Sequence, residues 1–327
     1  MKKTIICIAS VLAFAMCAPT AFAQEVSLGG QPVGIEVRVE GVLVAGMSEI
    51  ESESGTKCPA RAAGIEPGDI ITEMDGTNTE TIADVLTALE KADGKCVTVR
   101  ILRGEKEMTF EIAPMRAEDG RWVLGMLLRD GISGIGTLTF YDSASGRYGA
   151  LGHCVTDSET GNALKLGEGS ILGAEIVGVV QGKEGDPGEL KGCTDPTASL
   201  GSIDSNADCG IFGTAYCILG GEKVETGELR PGPAEIVTTV QGHDNARYSV
   251  NIDRVYTDSG TRRALITVTD ALLIEITGGI VQGMSGSPIM QNGRIVGAVT
   301  HVYVEDPTKG CCIGIEEMLE QAGISAA

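Results

Sequence analysis

Glycine constrains the fold of this chain more than any other residue: 46 of its 327 residues are glycine, and they cut the apolar sequence into short runs. Between them stand β-branched segments such as Gly131-Ile-Ser-Gly-Ile-Gly-Thr-Leu-Thr-Phe140, Ile171 to Gln181, Ala234 to Val240 and Ala264 to Val268. Runs of that length and composition favour strands over helices. Aromatic residues make up only 4% of the chain, so its cores must be filled by Val, Ile and Leu. A mainly β protein of two domains is the expected result.

The first residues carry a different signal. Met1-Lys-Lys, an uncharged run from Thr4 to Ala18 and Ala21-Phe-Ala23 give the basic, apolar and small-residue order of a secretory leader, so residues 1–23 are predicted to be a signal peptide. The run is shorter than the roughly 18 to 20 residues that cross a bilayer, and no direct membrane span is expected after leader cleavage. Met16 before Cys17 argues against lipidation. Removing the leader deletes Lys2 and Lys3 and no acid, leaving 23 basic against 45 acidic residues, a net of −22. That charge excludes nucleic acid and anionic lipid as natural partners. Eight cysteines remain beyond the leader, an even count that permits disulfides in an exported protein. No Cys-x-x-Cys pair exists and only His153, His243 and His301 are available, so neither a metal nor another cofactor is expected.

Between Gln24 and Ala117 the pattern is a small sheet with one covering helix. Gly34 to Val39 and Gly41 to Gly46 read as strands, as do Cys96 to Leu102 and Glu107 to Ile112, and Ile82, Val85, Leu86 and Leu89 recur at helical spacing. Ala60-Arg-Ala-Ala-Gly-Ile-Glu-Pro-Gly-Asp-Ile-Ile-Thr-Glu-Met-Asp-Gly76 closely resembles the Ala-Gly-Leu-x-x-Gly-Asp-x-Ile segment of PDZ domains. Gly64, Gly68 and Asp69 shape turns there and are not ligand contacts. The resemblance implies that residues 24–117 bind an extended peptide beside an exposed strand, with Gly34 and Ile35 in the peptide-binding loop.

Gly278-Gly-Ile-Val-Gln-Gly-Met-Ser285-Gly-Ser-Pro-Ile289 resembles the nucleophile loop of a serine protease. Glycines around Ser285 allow the backbone N–H groups of Gly283 and Ser285 to converge on a developing oxyanion. A serine hydroxyl needs a base and a group that orients the base. His153 ends an apolar strand just before a polar turn, which projects its side chain into a cleft, whereas His243 lies in a polar loop and His301 follows the strand after the nucleophile. Asp157, Asp204, Asp208 and Asp253 all compete for the acid role on sequence alone. The only clear helix expected in this half is Ile315 to Ala322, stopped by Gly323.

Beyond Ala117 the chain resembles the peptidase family of stage four sporulation protein B. The carriers are Gly131 to Tyr141, Tyr148-Gly-Ala-Leu-Gly-His153, Gly210-Ile-Phe-Gly-Thr214, Gly278 to Pro288, Gly297-Ala-Val-Thr-His-Val302 and Asp306-Pro-Thr308. The resemblance implies a PDZ domain followed by a chymotrypsin-like double β-barrel over residues 118–327. It assigns the nucleophile to Ser285, the base to His153 and the acid to Asp270, with Thr300 lining the substrate cleft. It further implies an exported endopeptidase in the space between forespore and mother cell that cleaves a membrane-associated sporulation regulator, and itself. Cys154, beside the base, departs from the family pattern; it reads as a buried apolar substitute or a redox-sensitive thiol. The alternative is a catalytically silent PDZ scaffold that only binds peptides.

Overall fold

A computed structural model describes residues 24–51, 56–157, 161, 163–164 and 166–324, so the predicted leader lies outside the described residues. Two strands organise the molecule. Pro32–Met47 is a 16-residue strand and Met126–Asp142 a 17-residue strand, and they run antiparallel along most of their length, from Pro32↔Thr137 to Met47↔Met126. Each begins in one domain and ends in the other.

The distal halves form the PDZ unit. Val42 and Leu43 pair with the strand Ile70–Met74, which continues to Val97–Arg103 and Lys106–Ile112. The helices Pro59–Ala63 and Ile82–Ala92 complete it. Thr81 caps the second of these with a reciprocal box, its hydroxyl accepting from Asp84 N while the Asp84 carboxylate accepts from Thr81 N. Val44, Ile71, Met74, Val85, Leu89, Val99 and Ile101 fill the core between sheet and helices. The turn residues behave as their chemistry requires. Gly64 (φ 100°) ends the short helix, and Asp69, 1% exposed, holds the Arg103 guanidinium through two bonds of 2.7 and 2.8 Å.

The proximal halves belong to the first peptidase sheet. Val33, Ile35 and Val37 pack with Leu138, Tyr148, Leu151, Ile171 and Ile211, and the sheet runs on through Arg147–Ala150 and Gly210–Thr214. This sheet is open. The second unit is a closed six-stranded barrel made of Gly232–Thr238, Ala246–Asp258, Thr261–Val268, Lys309–Gly314, Arg294–Val302 and Pro288–Gln291. Ile236, Val250, Ile266, Ile289, Val299 and Cys312 occupy its interior. Phe140 and Phe212 meet Ile313, Ile315 and Met318 at the seam between the two, under the terminal helix Ile315–Gln321.

The mainly β architecture of a PDZ unit joined to two β peptidase subunits agrees with expectation, with one barrel closed and the other left as a sheet. Two features differ. Residues 25–39 do not belong to the PDZ unit: Glu25–Leu28 and the first half of Pro32–Met47 pair with strands of the first peptidase sheet. A second helix occurs in the peptidase half, Ala271–Thr277, started by Asp270 and ended by Gly278 in the left-handed conformation. All eight cysteines beyond the leader are free thiols.

Candidate active site

A cleft of about 790 Å³ opens along the seam between the sheet and the barrel, and His153 and Ser285 both line it. His153 arrives from the sheet. The strand Arg147–Ala150 ends in Leu151 and Gly152, both with positive φ, which turns the chain sharply and presents the imidazole at the rim. Ser285 arrives from the barrel, on the loop between the helix Ala271–Thr277 and the strand Pro288–Gln291.

Two glycines shape that loop. Gly283 (φ 95°) and Gly286 (φ 94°) take conformations that a side chain resists, and the loop doubles back between them. Met284 N donates to Val281 O and Ser287 N to Met284 O, tightening the turn, while Gly286 N reaches Val299 O. The first sheet locks it from outside: Thr137 N donates to Ser285 O at 3.0 Å and Thr137 Oγ1 to Gly283 O at 2.9 Å. Among the described residues the N–H groups of Gly283 and Ser285 donate to no backbone carbonyl. They are free to receive an oxyanion.

The Ser285 hydroxyl donates to Thr300 O at 2.8 Å. The neighbouring Ser287 is a different kind of serine. It is fully buried inside the barrel and donates to Thr238 Oγ1 at 3.0 Å, which removes it from contention as nucleophile. Thr300 lines the cleft with its carbonyl engaged by Ser285 and its own buried hydroxyl without a partner among the described residues.

His153 Nδ1 lies 2.8 Å from Cys154 O, so the proton on that ring belongs on Nδ1 and the Nε2 lone pair is left for the nucleophile. Burial holds its conjugate acid below the usual histidine range, with the Cys154 carbonyl opposing the shift. His301, which the sequence places on the strand after the nucleophile, sits against it: the two rings are 4.7 Å apart at a 34° tilt. His301 is likewise disfavoured as a cation by burial, by His153 and by Arg263. Burial also pushes the Cys154 thiol up, so it is not a ready thiolate. Because the base works only when neutral, kcat/KM should rise with pH and reach half its plateau below 6.5, the ordinary histidine value. A pH–rate profile on a peptide without titratable groups checks this; a half-plateau above that value would contradict it.

Asp270 is not brought to His153. Its Oδ1 accepts from Leu272 N (3.0 Å) and Leu273 N (3.1 Å), and its Oδ2 accepts from Ser249 N (3.2 Å), so the carboxylate is committed to starting the helix and tying it to the barrel. In this structure the group at His153 Nδ1 is a backbone carbonyl, and Asp270 caps the helix that leads into the nucleophile loop. Of the other acids, Asp208 alone lines the cleft. Asp204 pairs with Arg147, and Asp253 accepts from Asn251 and Thr267. Asp270→Ala should cost about 1 kcal/mol of stability through the lost cap, whereas Asp270→Asn keeps the cap and the melting temperature. The turnover of the Asn variant then reports the acid role free of stability: a fall of about 10⁴-fold would place Asp270 at His153 in the working enzyme.

The peptide-binding residues expected in the PDZ unit lie elsewhere. Gly34 pairs with Ile135 on one side and Leu172 on the other, so no free edge remains beside it. Ile35 lines the peptidase cleft with His153 and Ser285. The groove of the PDZ unit, about 650 Å³, runs between Val85, Leu86 and Leu89 of its helix and Gly125 to Leu128 at the start of the long strand. Leu127 and Leu86 are 55% and 40% exposed there. The signal in the sequence was Leu124-Gly125-Met126, a glycine entering a strand, which lies just beyond the boundary expected at Ala117.

A family model described as SpoIVB peptidase S55 matches residues 120–319, and a PDZ-domain model matches residues 52–103. A protein of Xylella fastidiosa (strain Temecula1) named "Putative zinc metalloprotease" is 33% identical over 89 residues, 27% of this chain and 19% of its own length. A protein of Mesorhizobium japonicum named "Putative zinc metalloprotease mll0638" is 35% identical over 72 residues, 22% of this chain and 18% of its own. The chain thus spans about a fifth of the length of these curated relatives. Among solved structures, the active form of the Rv3671c protease from M. tuberculosis aligns over 59% of this chain and 76% of that one, at 14% identity and a TM-score of 0.35. A serine-to-alanine inactive form of the same protease aligns over 59% and 83%, at 12% identity and a TM-score of 0.32.

Proposed function

The chain belongs to the SpoIVB peptidase S55 family and is a serine peptidase with a PDZ unit; from that premise we propose that it is an exported endopeptidase of sporulation, acting between forespore and mother cell on a membrane-associated regulatory protein and on itself. The observation that carries the chemistry is the meeting of Ser285 and His153 across one cleft, each delivered by a different β unit.

Ser285 Oγ attacks the scissile carbonyl as its proton passes to His153 Nε2. The N–H groups of Gly283 and Ser285 take the charge that develops on the carbonyl oxygen, His153 returns the proton to the leaving amine, and water repeats the cycle on the acyl-enzyme. Throughout, the Cys154 carbonyl holds the imidazole in register. The PDZ groove supplies a second, separate hold on a peptide, and tethering raises the local concentration of a weakly bound segment at the cleft. The leader resemblance and the family support export and the sporulation role. No helix among the described residues is long and apolar enough to cross a membrane.

A fluorophosphonate probe and peptide mass mapping test the nucleophile: the label should sit on Ser285. An unlabelled protein would favour the catalytically silent scaffold. Co-expression with a membrane-anchored sporulation regulator, followed by its cleavage, tests the biological role separately.

A further inference from the structure

Among the described residues that line the cleft is a cation without a counter-ion. Arg263 stands on the barrel strand Thr261–Val268, between Tyr256 and Ile313 of its two neighbours, and lines the cleft with His153, Ser285, His301 and Asp208. Its Nε is buried and meets no hydrogen-bond acceptor, and among the described residues Arg263 enters no ion pair. The Nε of its neighbour Arg262 is buried without a hydrogen bond in the same way, so the difference between the two lies in the ion pairs: Arg262 reaches Glu228 and Glu316 at 4.0 and 3.9 Å and donates to Leu229 O at 2.9 Å. Asp208 shares the cleft, yet it does not pair with Arg263 either.

Composition makes this vacancy informative. With 45 acidic residues to 25 basic ones, a carboxylate is the commonest partner available, and most arginines of the chain have found one. A guanidinium is a rigid fork of donors whose geometry matches a carboxylate, and its donors are costly to bury unmet. Arg263 is half-buried and lines the same cleft as Ser285, so the buried Nε stays within the protein while the outer amino groups of the fork can be met by a group that arrives with the substrate. The positive field there already reaches His301.

We propose that Arg263 is a specificity-determining residue, whose guanidinium receives the side-chain carboxylate of an Asp or Glu a few residues from the scissile bond. The proposal rests on the serine-peptidase reading and names part of its substrate. A charge-assisted, bidentate pair of this kind discriminates an acid from its amide by about 10- to 100-fold.

The test uses the mature protein and a random peptide library read by mass spectrometry, then the best-cleaved acidic peptide beside its Asn or Gln counterpart. Cleavage should be enriched for Asp or Glu at one fixed position, and kcat/KM on the acidic peptide should exceed that on the amide by about 10- to 100-fold. Arg263→Gln should collapse that ratio towards one, Arg263→Lys should keep part of it, and Arg263→Glu should turn the preference towards a basic side chain. Absence of any acidic enrichment in the parent overturns the proposal without recourse to a variant, and so does an acid-to-amide ratio that survives Arg263→Gln. Cleavage of no peptide, with Ser285 unlabelled by the fluorophosphonate, overturns the peptidase reading itself and the proposal with it.

Discussion

Alanine at position 285 should reduce peptide hydrolysis by roughly 10⁴- to 10⁶-fold, the loss that follows removal of the nucleophile from a serine-protease unit. The fold should survive, because the residue is half-buried and its hydroxyl makes one hydrogen bond among the described residues, to Thr300 O. Its loss costs about 1 kcal/mol. Ser287→Ala should show the reverse profile. That hydroxyl lies inside the barrel against Thr238, so its removal should lower the melting temperature by the worth of one buried hydrogen bond and leave Ser285 able to react. Side-by-side kcat/KM and thermal denaturation decide the matter; hydrolysis by Ser285→Ala at a parental rate would remove the serine from the mechanism.

Gly286→Ala should be nearly as damaging by a different route. A Cβ there would stand 2.2 Å from Thr137 O and 2.4 Å from Leu151 N, both of them backbone atoms that cannot swing aside. The residue also holds φ 94°, a region that penalises any side chain. Together the strain and the overlap cost about 3 kcal/mol or more, a large share of the 5 to 15 kcal/mol that stabilises a typical domain. The consequence reaches the chemistry. Gly286 is one of the points at which the nucleophile loop touches the first sheet, its carbonyl accepting from Thr139 Oγ1, and Leu151 lies two residues before His153, so relief of the clash drives Ser285 and His153 apart. Urea denaturation and kcat/KM below the transition should both fall. A variant with parental stability and activity would show that the seam is looser than described.

The two effects come from different levels of organisation, and the sequence exposed them unequally. The turn chemistry of Ala60 to Gly76 was legible because it is local: Gly64 and Gly68 hold positive φ, and Asp69 accepts from Glu66 N within the same turn. Ser285 was legible for the same reason, since its flanking glycines serve the loop they sit in. The helix Ala271–Thr277 was missed although Asp270 and Gly278 mark both ends, because its Leu-Leu-Ile-Glu-Ile-Thr interior carries the residues of a strand. The boundary of the PDZ unit was missed for a related cause. Apolar alternation runs from Val33 to Val39 and gives way at Gly41 to the run Val42-Leu43-Val44, and a period of two records which residues face a core without recording which core. The change of partners is marked only by an irregularity between Arg38 and Leu43, where Gly41 holds φ 120°.

By itself, then, the sequence determined whatever depends on neighbours along the chain: the β character, the turns, the helix caps, the loop that bares Ser285 and the histidine that ends a strand. Tertiary structure decided what depends on neighbours in space. It moved Ile35 from the PDZ unit to the peptidase cleft, placed His301 against His153, kept Asp270 out of the cleft that His153 lines and left Arg263 facing that cleft without an ion pair among the described residues. The reason is physical: backbone conformation and capping are settled by interactions a few residues long, whereas a cleft is made where two separately folded surfaces meet, and the pairing of those surfaces is encoded in the whole of both cores rather than in any segment of either.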